Sequence, residues 1–142
     1  TWPQVHLSIL ATDIDESLLE RAKEGAYKNS SLKEVPEGTI EKFFKKEGEF
    51  YIFDQAIREG IEFKKHDILH GEPFSGMDIV LCRNLAFTYF SKERQIDVLR
   101  KVATSLKEKK YLVIGKDEIL PLTYHTLFVA VFPNEKIYEK FS

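Results

Sequence analysis

The chain has 142 residues, of which 43% are hydrophobic and 31% charged, and its formal net charge is -2. This composition is typical of a globular domain that buries a core, and it excludes a disordered chain. The charge balance gives no basic surface for nucleic acid, and no apolar run reaches the ~20 residues that span a bilayer. One cysteine, Cys82, excludes a disulfide framework, so we expect a cytoplasmic protein with no direct membrane insertion.

The start of the chain predicts a strand followed by a helix. Residues 5–12 are rich in β-branched and apolar side chains, as in a strand. Asp15 is a good N-cap for the helix, and Gly25 is a stop signal. The apolar face of this helix consists of Leu18, Leu19, Ala22 and Ala26.

The segment 27–60 is longer than an ordinary connection between a helix and a strand, which takes a few residues. We therefore predict an inserted subdomain at 27–60. Its aromatic side chains either pack its own core or hold a peptide. The elements predicted within it are a helix from about Pro36 that carries Phe43 and Phe44, a strand at 50–53 and a helical turn at 54–58.

The second half alternates strands and a helix. Ser91 caps a helix with an apolar stripe. Three lysines are expected at the C-terminal end of this helix, where positive charges interact favourably with the helix dipole. The stripe is Ile96, Leu99, Val102, Ala103 and Leu106, and the lysines are Lys107, Lys109 and Lys110. The predicted strands are residues 61–66, 78–82, 111–115, 125–132 and 136–141, and Pro133-Asn134 indicates an antiparallel hairpin between the last two.

Alternating strands and helices predict an α/β fold with a mostly parallel sheet. Ligands bind beyond the carboxyl ends of such strands, so Asp13, Asp67, Arg83 and Asn84 are expected along one edge. A carboxylate there suits the two hydroxyls of a ribose, which is the interpretation for Asp13 beside the cap Asp15. The alternative is a pair of loop acids with no ligand.

Several segments together resemble a known family. They are ILATDIDESLLERAKEGAY, NSSLKEVP, IEFKKHDILHGEPFSGMDIVLCRNLAFTYF and YLVIGKDEILP, in this order. As a set they are similar to the catalytic domain of the chemotaxis-receptor glutamate methyltransferases of the CheR type, which use S-adenosylmethionine and release S-adenosylhomocysteine. The resemblance covers nearly the whole chain and implies a Rossmann-like class I methyltransferase sheet.

The resemblance also implies roles for individual residues. Asp13 matches the acid that holds the ribose hydroxyls, and its neighbour Ile14 is assigned to the same cofactor site. Asp67 and Ile68 match the pair beside the adenine, which is more usually Asn-Leu. The remaining matches are Arg83 and Asn84, which line the cofactor pocket, and Tyr89, which lies near the transferred methyl; Arg83 and Tyr89 are expected to act in catalysis by orienting groups.

Two features depart from the family pattern. CRNLAFTYF carries one residue more than the usual CRN-x-x-x-YF, so the placement of Tyr89 departs from the pattern and a different acceptor is left open. The family's first strand and glycine loop normally precede ATDID, and no G-x-G occurs in this sequence. That strand is central in the family fold, between the strands ending at Asp13 and Cys82. We therefore expect a partial methyltransferase domain over residues 1–142, incomplete at its N-terminal side, whose sheet an upstream segment of the same protein completes.

Other polar residues have simpler interpretations. Cys82 is expected in the core, and His66 and His70 straddle a strand end, so no metal site is predicted. Asp117 and Glu118 follow a strand, and a turn is the simpler account.

Three functions remain open at this point. The first is O-methylation of glutamate side chains on a chemoreceptor-like protein. The second is methylation of a small molecule by the same fold. The third is a degenerate, non-catalytic domain that binds a partner or S-adenosylhomocysteine.

Overall fold

A computed structural model describes residues 4–141. The chain divides into two compact units, an N-terminal unit that ends at Asp67 and a C-terminal unit that begins at Ile68. None of the helices in the described residues is long and apolar enough to cross a membrane.

The N-terminal unit contains a parallel strand pair and a separate antiparallel sheet. In chain order its elements are β1 (Ile9–Asp13), α1 (Glu16–Glu24), β2 (Ala26–Lys28), a 3-10 turn (Asn29–Ser31), α2 (Glu37–Phe43), β3 (Phe44–Glu47), β4 (Phe50–Phe53), α3 (Gln55–Glu59) and β5 (Ile61–Lys65). β1 pairs in parallel with β5, and the antiparallel sheet has the order β2-β4-β3. The strand predicted at 5–12 is shorter and later, because residues 5–8 precede the pairing with β5.

Both predicted ends of α1 are confirmed. The Asp15 carboxylate accepts a hydrogen bond from the Ser17 N–H at 2.8 Å, which satisfies one of the first free amides of the helix. Gly25 follows the helix with a φ of 65°, in the left-handed region that glycine adopts without steric cost.

β3 was not predicted, because Phe44 was placed on the preceding helix. The helix α2 ends at Phe43, and Phe44 has extended backbone angles and pairs with Phe53 of β4. The Phe44 ring lies 5.1 Å from the Phe53 ring and 6.3 Å from the Tyr27 ring, measured between centroids. These aromatic contacts outweigh the helical spacing of Phe43 and Phe44.

The C-terminal unit contains a four-stranded mixed sheet. Its elements are β6 (Met77–Cys82), α4 (Ala86–Tyr89), α5 (Lys92–Ser105), β7 (Leu106–Ile114), a 3-10 turn (Leu122–Thr126), β8 (Phe128–Phe132) and β9 (Ile137–Lys140). The strand order is β6-β7-β9-β8, with β6 parallel to β7 and the other pairs antiparallel. The predicted C-terminal hairpin is therefore confirmed, although residues 125–126 belong to the 3-10 turn.

The core of the C-terminal unit joins α5 to its sheet. Val98 and Leu99 of α5 belong to the same buried cluster as Leu112 of β7 and Phe128 of β8, and each of these side chains is at most 1% exposed. The helical stripe predicted for α5 is thus a core face.

The predicted end of α5 was wrong. The helix stops at Ser105, and Leu106 has extended backbone angles and begins β7 opposite Met77. Lys107 and Lys110 therefore do not extend the helix; their ammonium groups reach the Asp78 carboxylate at 3.0 and 3.3 Å. Pairing with β6 outweighs the dipole interaction that the sequence favoured.

Two parallel strands each have one partner within residues 4–141. β1 pairs with β5, and β6 pairs with β7. Leu7, which precedes β1, is 73% exposed, and Leu81 of β6 is 70% exposed. Each unit thus presents apolar side chains at or near a strand with an open edge.

Candidate functional site

Asp13 and Asp15 at the end of β1 have different surroundings. Asp15 caps α1, and the pKa of its carboxyl group lies below the ordinary value because the Ser17 hydroxyl and amide donate to it. Asp13 is half-buried, and its Oδ1 accepts the Asp15 N–H at 2.9 Å. The backbone of the turn thus orients the Asp13 carboxylate at the carboxyl end of the strand.

The same end of the parallel pair carries Asp67. The His66 N–H donates to the Asp13 carbonyl at 2.9 Å, so the pairing of β1 and β5 continues past the last strand residues. Asp67 follows directly and ends the N-terminal unit. As predicted, Asp13 ends β1 and Asp67 lies just beyond the neighbouring parallel strand β5. Ile14, which follows Asp13, is 59% exposed.

Arg83 and Asn84 follow β6 in the C-terminal unit. Asn84 has a φ of 55°, in the left-handed region, which asparagine adopts more readily than most residues. A non-glycine residue in the left-handed region raises the conformational free energy by about 1–3 kcal/mol, and this conformation persists only where the surrounding structure stabilises it. Ile68, predicted beside the adenine, is half-buried and packs against the core of this unit.

The residue that holds Asn84 is Glu118, which was interpreted from the sequence as part of a turn. Glu118 is 4% exposed and follows β7. Its Oε2 accepts the Asn84 N–H at 2.9 Å and the Gly115 N–H at 2.5 Å, and its Oε1 accepts the Thr88 hydroxyl at 2.7 Å. The signal that points to it is the one used for Asp13: an acid just beyond a strand end.

The charge state of Glu118 follows from these contacts. Burial alone would raise the pKa of its carboxyl group, but the hydrogen bonds from Thr88, Asn84 and Gly115 together lower it below the ordinary value of 4.5. Glu118 is therefore a buried, ionised acceptor at neutral pH.

Tyr89 is the last residue of α4 and is 77% exposed. The helix therefore presents its ring to solvent at the end of the segment that follows Asn84. Cys82, in contrast, is 5% exposed, and burial raises the pKa of its thiol to about 11. The prediction that Cys82 is a core residue is confirmed.

An open cavity of about 370 Å³ lies at the carboxyl ends of β6 and β7. Its lining includes the cationic residues Arg83 and Lys116 and the acid Glu135. A larger cavity of about 610 Å³ lies beside the first residue of β5, Ile61, and so away from the predicted strand-end site. Among residues 4–141 no group of three or more His, Cys, Asp or Glu side chains is arranged to hold a metal ion.

The structure thus brings the predicted residues together within each unit. Asp13 and Asp67 end neighbouring strands of one, and Arg83 and Asn84 lie at the strand ends of the other with Glu118. The expectation that Asp13, Asp67, Arg83 and Asn84 share one edge stays a prediction, as do their assignments to a ligand.

Residues 1–136 match the family described as the CheR methyltransferase, SAM binding domain. A chemotaxis protein methyltransferase of Listeria monocytogenes is 34% identical over 113 residues, which are 80% of this chain and 43% of that protein. Chemotaxis protein methyltransferase 2 of Vibrio cholerae is 27% identical, over 98% of this chain and 50% of that protein. An uncharacterized 104.1 kDa protein of Rhodobacter capsulatus is 34% identical, over 84% of this chain and 12% of that protein. The chain spans half or less of the length of these curated relatives.

The comparisons and the fold confirm several predictions. The α/β fold class and the C-terminal antiparallel hairpin agree with a Rossmann-like methyltransferase domain. The sheets of residues 4–141 are mixed rather than mostly parallel, because β1-β5 and β6-β7 are the parallel pairs and the other four pairs are antiparallel. The matched domain binds S-adenosylmethionine, the predicted cofactor. This chain belongs to the CheR methyltransferase family.

Proposed function

We propose that this chain is the cofactor-binding and catalytic part of an S-adenosylmethionine-dependent O-methyltransferase that esterifies glutamate side chains of chemoreceptor-like proteins. The observation that carries this proposal is the family match over residues 1–136, which includes the ATDID and CRN segments. The Listeria and Vibrio relatives are chemotaxis protein methyltransferases, which supports a receptor protein as acceptor.

The residues at the strand ends fit S-adenosylmethionine. The half-buried Asp13 carboxylate is oriented by the Asp15 N–H and is a suitable acceptor for two ribose hydroxyls. We assign Ile14, Asp67 and Ile68 to the nucleoside as well. In the C-terminal unit the assigned residues are Arg83 and Asn84, whose backbone is fixed by Glu118.

The bound cofactor supplies an electrophilic methyl group on a sulfonium sulfur. The residues of this chain then need to position an acceptor rather than to move a proton, because a glutamate with an ordinary pKa of about 4.3 is ionised at neutral pH. We propose that Arg83 and Tyr89 orient the acceptor and help exclude water. The positive charges of Arg83 and Lys116 on the strand-end cavity favour an anionic acceptor, although Glu135 offsets one of them.

A small-molecule acceptor is the second candidate. The observation that favours it is the extra residue in CRNLAFTYF, which places Tyr89 differently from the family pattern. An acceptor that is not a protein would give a product that stays soluble after protein precipitation.

Two structural proposals accompany this function. An upstream segment of the same protein adds a strand at the open edges of β1 and β6, which would cover exposed apolar side chains such as Leu7 and Leu81. The sheet β2-β4-β3 forms the core of an inserted subdomain over residues 27–60. We propose that the whole protein acts in the cytoplasm.

Transfer of tritium from labelled cofactor tests the proposed function. The full-length protein is incubated with S-adenosyl-[methyl-³H]methionine and membranes that contain chemoreceptors. Radioactivity on receptor protein that base releases as methanol supports glutamate esterification. Radioactivity confined to small molecules selects the second candidate, and no transfer at all contradicts a methyltransferase.

A further inference from the structure

A buried carboxylate lies just beyond the carboxyl end of β7, and it forms no salt bridge within the part of the chain that the structure describes. Glu118 is 4% exposed, and among residues 4–141 it is the one buried acidic side chain. The Asn84 amide, the Gly115 amide and the Thr88 hydroxyl donate hydrogen bonds to it, and none of these groups carries a charge. A carboxylate placed there satisfies particular N–H and O–H groups rather than a cation.

The groups that Glu118 binds lie at both ends of one short segment. Asn84 begins this segment with a φ of 55°, and Thr88 lies within the helix α4 that follows it. Each carboxylate oxygen accepts a hydrogen bond from one end of the segment: Oε2 from the Asn84 N–H and Oε1 from the Thr88 hydroxyl. A single side chain from the end of β7 therefore fixes the backbone that follows β6.

A second observation is that the Asn84 side chain packs closely against the backbone of Gly115. A methyl group added at Gly115 would overlap the Asn84 Oδ1 and would lie 2.8 Å from the Glu118 Oε2. The φ of Gly115 lies outside the left-handed region, so its backbone does not itself require glycine. The close approach of Asn84 and Glu118 is the reason for a glycine at this position.

We propose that Glu118 is a positioning residue for the cofactor site, which it serves by holding Asn84 in the conformation that lines the nucleoside pocket. The proposal rests on the function proposed above, because Asn84 is assigned to the cofactor there. Gly115 acts with Glu118 by leaving room for the Asn84 side chain. Glu118 itself binds the protein backbone and the Thr88 hydroxyl, and need not contact the cofactor.

Calorimetric titration of the full-length protein with S-adenosylhomocysteine tests this proposal. Loss of hydrogen bonds to a buried charged acceptor in Glu118→Ala is expected to weaken binding about 10- to 100-fold. Gly115→Ala would displace the Asn84 side chain by steric overlap with its Oδ1 rather than by removing a hydrogen bond, and it is expected to weaken binding to a similar extent. Glu118→Gln, whose amide can accept both N–H groups while its NH₂ faces the Thr88 hydroxyl, is expected to retain affinity within about threefold.

Asp117→Asn is the matched control, because it removes the adjacent exposed acid. Hydrogen exchange of the peptide that contains Asn84 is a second readout, and it is expected to speed up in Glu118→Ala but not in Glu118→Gln. Unchanged affinity in Glu118→Ala, or an equal loss in Asp117→Asn, overturns the positioning role and leaves the proposed function standing. Wild-type protein that fails to bind S-adenosylhomocysteine overturns both.

Discussion

Acidic side chains that are close in the sequence have different structural roles in this protein, and their hydrogen bonds distinguish these roles. Asp15 satisfies the amide of Ser17 at the start of α1, whereas Asp13 is oriented by the Asp15 amide at the end of β1. Glu118 accepts three hydrogen bonds, and its neighbour Asp117 is exposed. The sequence allowed Asp15 to be identified as the cap, because a cap has a fixed position relative to its helix, and this left Asp13 as the candidate ligand. Glu118 was missed because two of these three donors, Asn84 and Thr88, lie 34 and 30 positions away in the sequence.

The lowered pKa of Glu118 predicts how its contribution to stability depends on pH. A carboxyl group whose pKa is lower in the folded than in the unfolded state stabilises the fold above the unfolded pKa, and this contribution disappears as the pH falls through the folded pKa. The free energy of unfolding should therefore differ between the wild type and Glu118→Gln at about pH 7, and the two should converge as the pH falls below the ordinary carboxyl pKa of 4.5 and through the lower pKa of the folded state.

Urea unfolding of both proteins across this range measures the difference. A difference that stays constant, or that grows as the pH falls, would contradict an ionised and stabilising Glu118.

The raised pKa of Cys82 predicts slow alkylation. At pH 8 a thiol with a pKa of about 11 carries roughly 100-fold less thiolate than one at the ordinary 9.0, and burial restricts access further. Iodoacetamide labelling of the native protein, followed by mass spectrometry of the Cys82 peptide, should be at least that much slower than labelling in urea. Equal rates would mean that the thiol is exposed and reactive.

At the scale of elements, the sequence predicted those that are set by local signals and by regular apolar spacing. The two ends of α1 and the apolar stripe of α5 are of this kind. β3 and the early end of α5 depend on partners distant in sequence, since Phe44 pairs with Phe53 and Leu106 with Met77. No spacing within the local segment reveals such pairing.

The core face of α5 predicts a large difference between two identical substitutions. Leu99 is 1% exposed, so Leu99→Ala is expected to lower the free energy of unfolding by about 2–5 kcal/mol. Leu122 is 85% exposed, and Leu122→Ala should change the same quantity by less than about 0.5 kcal/mol. Chemical denaturation of both variants provides the comparison. Similar effects at the two positions would show that α5 does not pack as described.

Arg58 of α3 joins the C-terminal end of α1 to β4. Its guanidinium donates to the carbonyl oxygens of Lys23, Glu24 and Phe53 at 2.5 to 2.9 Å. Arg58→Ala is expected to lower the free energy of unfolding by about 1–3 kcal/mol, since three carbonyl groups lose a charged donor.

The control for Arg58 is Arg100→Ala, which removes an exposed ion pair with Asp97 at 3.9 Å and should cost no more than about 0.5 kcal/mol. Both variants are measured by urea unfolding. Arg58→Ala as mild as the control would mean that these hydrogen bonds are not maintained in solution.

At the scale of the whole molecule, the sequence allowed the alternation of strands and helices and the family to be predicted, because motifs such as ATDID and CRN lie at predicted strand ends. The fold class and the family are confirmed. The ligand assignments of the strand-end residues remain proposals. Their common logic is that carboxylates and an Arg-Asn pair at the ends of parallel strands bind one nucleoside.

The affinity of the full-length protein for S-adenosylhomocysteine, measured by calorimetry on Asp13→Ala, tests this logic most directly. Asp15→Asn is the matched control, because asparagine remains a good N-cap while the neighbouring charge is lost. The account predicts that Asp13→Ala weakens binding by more than about tenfold with little change in the unfolding midpoint, whereas Asp15→Asn binds nearly as the wild type does. An Asp13→Ala variant that binds with wild-type affinity would contradict it.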